Sequence, residues 1–236
     1  MEFFYSDSIY KNKIVLDINE SRHCLKVLRK KIDDDVDVVD GRGNLYNGQI
    51  ISFENNKCQI EIKNKHENYD QRKHYIHIAI SPIKSQNRIE WFIEKSVELG
   101  IDEISFIQCE RTLKKTVKID RLYKTAIVAM KQTLKATIPK INNIIKINDF
   151  LENCKEKNRY ICHLENSLRK SLFSFDEKII NNKNCILVGP EGDFTIDEIN
   201  RSEKYQFQPI TLGSSRLRTE TAGVVACHLL NIINDK

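Results

Sequence analysis

The fold is indicated most clearly by residues 185–195, which read CILVGPEGDFT. A run of four apolar residues precedes two glycines, and Thr195 comes three positions before Glu198. A short apolar run bounded by glycine is typical of a buried strand, and a threonine followed three positions later by glutamate forms a capping box at the start of a helix. The stretch therefore predicts a strand, a tight loop and a helix in succession, which is one unit of an α/β domain.

The same alternation continues through the C-terminal part of the chain. Apolar spacing predicts strands at 75–80, 104–107, 160–164 and 209–212, and helices at 85–99, 121–135, 196–204 and 221–233. Gly100 provides a stop for the helix at 85–99. We expect residues 71–236 to form an α/β domain with a mainly parallel sheet, and a ligand to bind beyond the carboxyl ends of its strands.

Residues 1–70 predict a smaller domain that consists mostly of β-strands. Strands near 36–39, 45–53 and 58–62 are separated by turn sequences that contain Gly and Asn. One helix is predicted near 20–30, with Asn19 as its cap. Four basic residues of this helix share one face, and we call them the basic ridge: Arg22, Lys26, Arg29 and Lys30. The basic ridge predicts either a solvated helix face or a surface that contacts phosphates.

Composition sets broad limits on the class of protein. The chain has 236 residues, 40% of them hydrophobic and 30% charged, and a net charge of +5. A basic surplus permits nucleic-acid binding without requiring it. The seven cysteines form no C-x-x-C pair, which favours reduced, buried thiols. We interpret His74 and His77 as the outward face of a strand, not as a metal pair. No signal peptide or membrane-length apolar run is present, so we expect a cytoplasmic protein.

A second loop, residues 212–222, reads LGSSRLRTETA and leads into the last helix. Two arginines and a glutamate at a helix start suit an anionic substrate, although helix capping plus surface charge explains them equally well. The Gly-Pro-x-Gly of the first loop is neither a dinucleotide fingerprint nor a P-loop. A dinucleotide or nucleoside triphosphate is therefore not indicated.

The two loops resemble the RsmE family, SPOUT-class methyltransferases that modify ring nitrogen N3 of a uridine in small-subunit ribosomal RNA. The resemblance covers nearly the whole chain, with further matching motifs at 94–101 (EKSVELGI), 110–112 (ERT), 131–135 (KQTLK) with Pro139, and His23 with 27–29 (VLR). The chain departs from the family at four positions. Asp193 stands where a glycine is usual, Ser215 and Lys135 replace arginines, and Cys24 replaces a histidine.

The resemblance implies a PUA-like β-barrel at the N-terminus, which binds RNA, and a C-terminal α/β domain closed by a trefoil knot. It also implies a homodimer, S-adenosylmethionine (SAM) as cofactor, no metal, and small-subunit ribosomal RNA within an assembled subunit as substrate. In this family three loops hold SAM largely through backbone groups. Carried over to this chain, those residues are Leu164, Glu165, Gly189, Pro190, Glu191, Gly192, Leu212, Gly213, Ser214, Ser215 and Leu217.

Two residues of the second loop are candidates for the chemistry. Arg218 is placed to stabilise negative charge on the uracil oxygens during the reaction. Glu220 is either the base that removes the N3 proton or an acidic residue that stabilises the first turn of the last helix. Two alternatives stay open. In the first, the protein is a SPOUT methyltransferase that modifies transfer RNA or a ribose hydroxyl. In the second, it is a non-catalytic RNA-binding factor in ribosome assembly.

Overall fold

The protein forms two compact units in a computed structural model that describes residues 2–165 and 168–235. The first unit contains Met1–Gln71 and Ile127–Ile138, and the second contains Arg72–Ala126 and Pro139–Lys236. The predicted division at residues 70 and 71 differs from these units in the segment Ile127–Ile138. Within the first unit, the Ile138 amide donates to the Gly41 carbonyl, and the Gly43 amide donates to the Ala136 carbonyl. Such contacts between distant parts of the chain leave no periodic pattern in the sequence.

The first unit is built on a six-stranded sheet in the order β1-β4-β5-β6-β3-β2. Its strands are β1 (Phe3–Tyr5), β2 (Ile9–Tyr10), β3 (Lys13–Val15), β4 (Asp35–Val39), β5 (Leu45–Glu54) and β6 (Lys57–His66). Among the strand pairs that the structure describes in this sheet, only β1–β4 is parallel. The predicted meander over β4, β5 and β6 is confirmed, and Asn55 and Asn56 in its second turn have φ of 51° and 61°. Asparagine tolerates this left-handed conformation, which hairpin turns require.

The predicted helix at 20–30 is wrong in its bounds. Helix α1 (Ile18–Arg22) is capped by the Asp17 side chain, not by Asn19, and it continues into a single π-helical segment, His23–Val27. Arg29 lies beyond this segment with a φ of 56°. The four residues of the basic ridge therefore do not share one helical face, because the last two follow the end of the helix.

The second unit is a parallel seven-stranded sheet in the order β11-β13-β10-β12-β7-β8-β9. Its strands are β7 (Tyr75–Ile80), β8 (Glu103–Gln108), β9 (Lys140–Lys146), β10 (Asn158–Cys162), β11 (Lys170–Ser171), β12 (Lys183–Val188) and β13 (Gln208–Thr211). The predicted strands in this part are confirmed, whereas β9 and β11 were not predicted. Both of these strands lie at sheet edges, where burial is low and the apolar pattern is weak.

Helices connect these strands. They are α2 (Gln86–Leu99), α3 (Ile119–Gln132), α4 (Ile147–Asn153), a short 3₁₀ helix (Leu172–Phe175), α5 (Asp176–Ile179), α6 (Ile196–Lys204) and α7 (Thr219–Asn234). Gly100 ends α2 in the left-handed conformation, as predicted. The predicted capping box of Thr195 and Glu198 is also present at the start of α6. None of the helices in the described ranges is both long enough and apolar enough to cross a membrane.

His77 corrects the interpretation of the two histidines as an outward strand face. It lies on β7, is 4% exposed, and hydrogen-bonds through its two ring nitrogens to Glu156 at 2.6 Å and Ser105 at 2.8 Å. An interior strand of a parallel sheet is buried on both faces, so alternation does not predict exposure there. His77, Glu156 and Cys185 have their ligand-type atoms within 4.8 Å of one another. Hydrogen bonds inside the core already occupy the histidine and the glutamate.

Candidate active site

A cavity of about 340 Å³ opens at the carboxyl ends of β10, β12 and β13. Because β10 lies between β12 and β13 in the sheet, the loops that leave these three strands lie side by side. The cavity walls come from residues within 162–169, 188–193 and 210–222. This position matches the general rule that ligands of open α/β sheets bind beyond the carboxyl ends of the strands.

Most of the residues predicted to contact the cofactor line this cavity. They are Leu164, Gly189, Pro190, Glu191, Leu212, Gly213, Ser215 and Leu217. Glu165, Gly192 and Ser214 are not among the lining residues, and Ser214 instead lines a neighbouring groove. The three loops that the sequence singled out are thus brought together around one space.

The first loop includes Asp193, which stands where the family usually has a glycine. This residue has a φ of 63°, a left-handed conformation in which glycine is usual and aspartate is tolerated. Its Oδ1 accepts from the Phe194 amide at 2.8 Å, and its Oδ2 accepts from the Leu164 amide at 2.7 Å. The aspartate therefore keeps the backbone path of the loop and also ties it to the loop that follows β10.

Two residues that were not predicted as site residues donate hydrogen bonds to carbonyl groups of the same loop. The Arg111 guanidinium donates to the Gly192 carbonyl at 2.8 Å. The Thr219 hydroxyl donates to the Gly189 carbonyl at 3.0 Å, which ties the loop to the first turn of α7. Arg111 belongs to the Glu-Arg-Thr motif at 110–112, so the family motif was a signal for the first of these supports.

The second loop presents two cations to the cavity. Arg216 and Arg218 are both exposed and both line it. Neither guanidinium forms a hydrogen bond or an ion pair within the described ranges. Gly213, which also lines the cavity, has a φ of 137° that only glycine adopts easily. Arg218 occupies the N-cap position of α7, and its side chain forms no capping hydrogen bond in the described part of the chain.

Glu220 is placed differently from Arg218. It is 5% exposed, does not line the cavity, and its Oε1 accepts from the Arg88 Nε of α2 at 2.5 Å. Its Oε2 is buried without a hydrogen-bond partner in the described part of the chain. The structure therefore brings Arg218 to the cavity and turns the carboxylate of Glu220 towards α2.

The two polar groups at the end of β10 were not predicted as site residues. Burial raises the pKa of the Cys162 thiol well above its ordinary value, which keeps this cavity-lining group neutral. Burial also lowers the pKa of His163, with Arg169 acting in the same direction and Asp193 opposing it. Cys162 and His163 are thus both uncharged near neutral pH.

The basic ridge belongs to the first unit. Arg22, Lys26 and Arg29 are exposed, whereas the Lys30 ammonium donates to the Asp35 carbonyl at 3.0 Å. Three of the four cations are therefore directed to solvent without a described partner. They form an extended basic segment that continues past the helix end.

The class of protein follows from the fold and the position of the site. Residues 70–231 match the family model described as an RNA methyltransferase domain, and residues 16–63 match the one described as an RNA methyltransferase PUA domain. An α/β domain of the SPOUT type preceded by a PUA domain defines an RNA methyltransferase, and the predicted fold class is confirmed. The trefoil knot and the closure of the N-terminal sheet into a barrel stay predictions.

Individual relatives indicate which family of RNA methyltransferases the chain belongs to. The chain is 31% identical over 232 residues to ribosomal RNA small subunit methyltransferase E of Buchnera aphidicola, covering 94% of this chain and 89% of the relative. A probable rRNA-methyltransferase from Porphyromonas gingivalis superposes with a TM-score of 0.92 at 34% identity, covering 100% of this chain and 99% of the other. The SAM-bound ribosomal RNA small subunit methyltransferase E from Neisseria gonorrhoeae gives 0.84 at 26% identity, covering 99% and 98%. The chain belongs to the ribosomal RNA small subunit methyltransferase E family.

Proposed function

We propose that this protein transfers a methyl group from SAM to N3 of a uridine in small-subunit ribosomal RNA. The observation that carries the proposal is the cavity formed by the three loops whose sequences resemble the family. A relative with the same fold and 26% identity binds SAM. The N3 position and the uridine come from the resemblance of both domains to one family.

The residues around the cavity fit this cofactor. Gly189 and Gly213 line the cavity with backbone that carries no side chain, Val188 and Ile210 give it a buried apolar wall, and the polar groups of Cys162 and His163 are neutral. A backbone-lined site of this kind recognises a ligand by its shape and by amide hydrogen bonds. When bound, SAM supplies an electrophilic methyl group on a sulfonium. The three loops would hold SAM and orient its methyl group towards the attacking nitrogen, and such placement would contribute roughly 7–11 kcal/mol to lowering the barrier.

We assign Arg218 to the second substrate. Its guanidinium is free of described partners and lies at the entrance of the cavity. As N3 loses its proton, negative charge spreads onto the two uracil oxygens, and a nearby guanidinium stabilises that charge. We assign Glu220 a positioning role, because its carboxylate pairs with Arg88 and does not line the cavity. In this role it fixes the start of α7, which carries Arg218.

The two domains have separate roles in the proposed function. We propose that residues 1–70 bind RNA, with the basic ridge contacting phosphates, and that residues 71–236 carry out methylation. N3 lies on the Watson–Crick edge of uracil, so the target base must be unpaired when it reaches the site. We propose further that the substrate is ribosomal RNA within an assembled small subunit and that the enzyme acts in the cytoplasm.

The proposed reaction is tested with purified protein, SAM and small ribosomal subunits from a strain that lacks this methylation. Mass spectrometry of the nucleosides should show 3-methyluridine at one position of the small-subunit RNA. Methylation only of transfer RNA, or of a ribose hydroxyl, would replace the proposed target by the alternative RNA. SAM binding without any methylation of RNA would favour the non-catalytic assembly factor.

The role of Arg218 is tested by replacing it with alanine. Arg218→Ala should lower the single-turnover rate by about 10²–10³-fold and leave SAM affinity within a few-fold, because the stabilised charge exists only during the reaction. Arg201→Ala is a matched control, since Arg201 lies on α6, outside the cavity lining, and bonds to Asn148. An Arg218→Ala enzyme with the full single-turnover rate would remove this role and leave the proposed target unaffected.

A further inference from the structure

His163 is a buried side chain in the wall of the cavity. It follows β10, lines the cavity and is 4% exposed. Within the described ranges, neither Nδ1 nor Nε2 forms a hydrogen bond. Buried polar groups in proteins are nearly always satisfied, so an imidazole with two unsatisfied nitrogens in the wall of a cavity points to a group that binds there.

The position of the ring is set by the backbone on both sides of it. The Arg169 guanidinium donates to the His163 carbonyl at 2.6 Å, and the next amide, that of Leu164, donates to Asp193 at 2.7 Å. These bonds connect the segment after β10 to two other parts of the same unit. The imidazole is therefore held at the cavity wall by contacts that do not involve its own nitrogens.

The ring is uncharged near neutral pH, because burial and the neighbouring Arg169 lower its pKa while Asp193, Glu203 and Glu165 oppose this only in part. A neutral imidazole carries one N–H donor and one acceptor nitrogen. The ring is suited to a neutral group that offers both a donor and an acceptor.

The distribution of charge around the cavity indicates which part of the cofactor meets His163. Val188 and Ile210, which also line the cavity, are 2% and 0% exposed. Glu191, Arg216 and Arg218 line it too but are exposed. The half-buried Arg169 and Asp193 line the cavity as well, but their charged groups are engaged in hydrogen bonds to the His163 carbonyl and to the Leu164 and Phe194 amides. The buried inner side thus offers apolar side chains and the neutral His163, and the charges without a described partner are exposed. A neutral, largely aromatic nucleoside suits the inner side, and a charged amino-acid group suits the exposed side.

We propose that the imidazole of His163 hydrogen-bonds to the adenosyl moiety of SAM and makes the inner side of the cavity specific for a nucleoside. The inference rests on the proposed function, since it names a contact within that cofactor site. It assigns a side-chain contact to a site whose other predicted contacts come from the backbone.

The test measures binding of the demethylated product, S-adenosylhomocysteine, by calorimetry, together with the ring nitrogen signals of His163 by NMR. Saturation of the wild-type protein should shift both ring nitrogen signals of His163. His163→Phe should raise the Kd for S-adenosylhomocysteine by about tenfold or more, and His163→Gln should recover part of the loss. Adenosine alone should show the same dependence on His163, whereas methionine alone should not.

The matched control is His66→Phe, since His66 is exposed and belongs to the other unit. Wild-type protein that binds S-adenosylhomocysteine with unmoved His163 signals would overturn the inference and leave the proposed function standing. Equal affinity of wild type and His163→Phe would do the same. Wild-type protein that binds neither SAM nor its product would instead overturn the proposed function. If His163→Phe fails to fold, the ring signals of the wild type decide the question.

Discussion

Asp193 illustrates, as a single residue, how a loop tolerates a departure from its family. Glycine is usual at this position, and the φ of 63° explains why. Aspartate is one of the few other residues that adopt this conformation at low cost, and here its carboxylate accepts two backbone amides. One of these bonds comes from the Leu164 amide. Aspartate therefore adds a hydrogen bond between two of the cofactor loops that glycine could not form.

Two glycines of the first loop should respond differently to the same substitution. A Cβ on Gly189 would lie 3.0 Å from two ring atoms of Phe194, whereas a Cβ on Gly192 would lie 3.3 Å from the flexible side chain of Arg111. Gly189→Ala should therefore displace the cavity wall and weaken SAM binding, and it should lower the free energy of unfolding by about 1–3 kcal/mol, as overpacking does. Gly192→Ala should change binding little.

Titration calorimetry with SAM on both variants measures this difference, and circular dichroism checks that both variants fold. Equal reductions in affinity for the two glycine variants would mean that Gly192 also contacts the cofactor, although it is not among the residues that line the cavity. That result would restore the prediction made from the sequence, which placed Gly192 in the cofactor site.

Replacing Glu220 tests whether this residue is a catalytic base or a positioning residue. Glu220→Gln should lower the free energy of unfolding by about 1–3 kcal/mol, because it removes a charged hydrogen bond to Arg88 from a buried site. The single-turnover rate at saturating SAM should stay within a few-fold. Arg88→Gln should give a similar decrease in stability, and the decrease for the double variant should be smaller than the sum.

If Glu220 were the catalytic base, its replacement would change the reaction rate and not the stability. Without a group that accepts the N3 proton, the chemical rate falls by about 10²–10⁴-fold and stability stays nearly unchanged. A Glu220→Gln enzyme with that pattern would contradict the positioning role. The two measurements, denaturant unfolding and single-turnover kinetics, therefore separate the alternatives that the sequence left open.

The element that differs most from its sequence prediction is the helix of the basic ridge. Helix α1 gives way to a π-helical segment at His23, and the helix ends at Val27. The cations then follow the chain beyond the helix end, with Lys30 held by the Asp35 carbonyl. Exposed cations on an irregular segment follow the backbone of a nucleic acid through charge alone, so a regular helical face is not needed.

Charge reversal within this element should weaken RNA binding without affecting the cofactor. Arg22→Glu with Lys26→Glu should lower affinity for small-subunit RNA and reduce the dependence of binding on salt. The log–log slope should fall by about 0.7–0.9 for each phosphate that the variant no longer neutralises. SAM affinity should not change. Filter binding over a series of salt concentrations measures both the affinity and the slope.

Lys57→Glu is the control for this prediction, because Lys57 is an exposed lysine of the same unit at the β5–β6 turn. A decrease in RNA affinity equal to that of the ridge variant would indicate a general effect of net charge. Unchanged RNA binding in the ridge variant would identify the basic ridge as a solvated surface.

For the molecule as a whole, we expect a homodimer. We expect part of the interface to come from the apolar helix α7, where Val224, Val225 and Leu229 are half-buried, although Ile233 is fully buried. Ile232 of the same helix is 39% exposed, and elsewhere in the second unit Leu164 is 47% and Leu168 85% exposed. Exposed apolar groups of this size are compatible with an interface.

Light scattering at micromolar concentration should give about twice the 27.6 kDa of one chain. Leu168→Asp should shift the equilibrium towards the monomer, because a charge in an apolar interface is costly to bury. Leu113→Asp is the control, since Leu113 is 72% exposed and belongs to a different loop. A mass of one chain for the wild type would contradict the dimer.

Local sequence was enough to predict the alternation of strands and helices, the caps at Thr195 and Gly100, and the loops that surround the cavity. These features depend on residues close together in the chain, where hydrophobic spacing and turn chemistry act directly. The resemblance to a family extended the same local information to the cofactor and the substrate.

Which of these residues meet depends on the tertiary structure alone. Arg88 and Glu220 are 132 positions apart, and their pairing removed Glu220 from the cavity. His77 is buried because its strand lies inside a sheet, and His163 lines the cavity because β10 lies between β12 and β13. Contacts of this kind depend on strand order and on side-chain direction, and neither leaves a periodic trace in the chain.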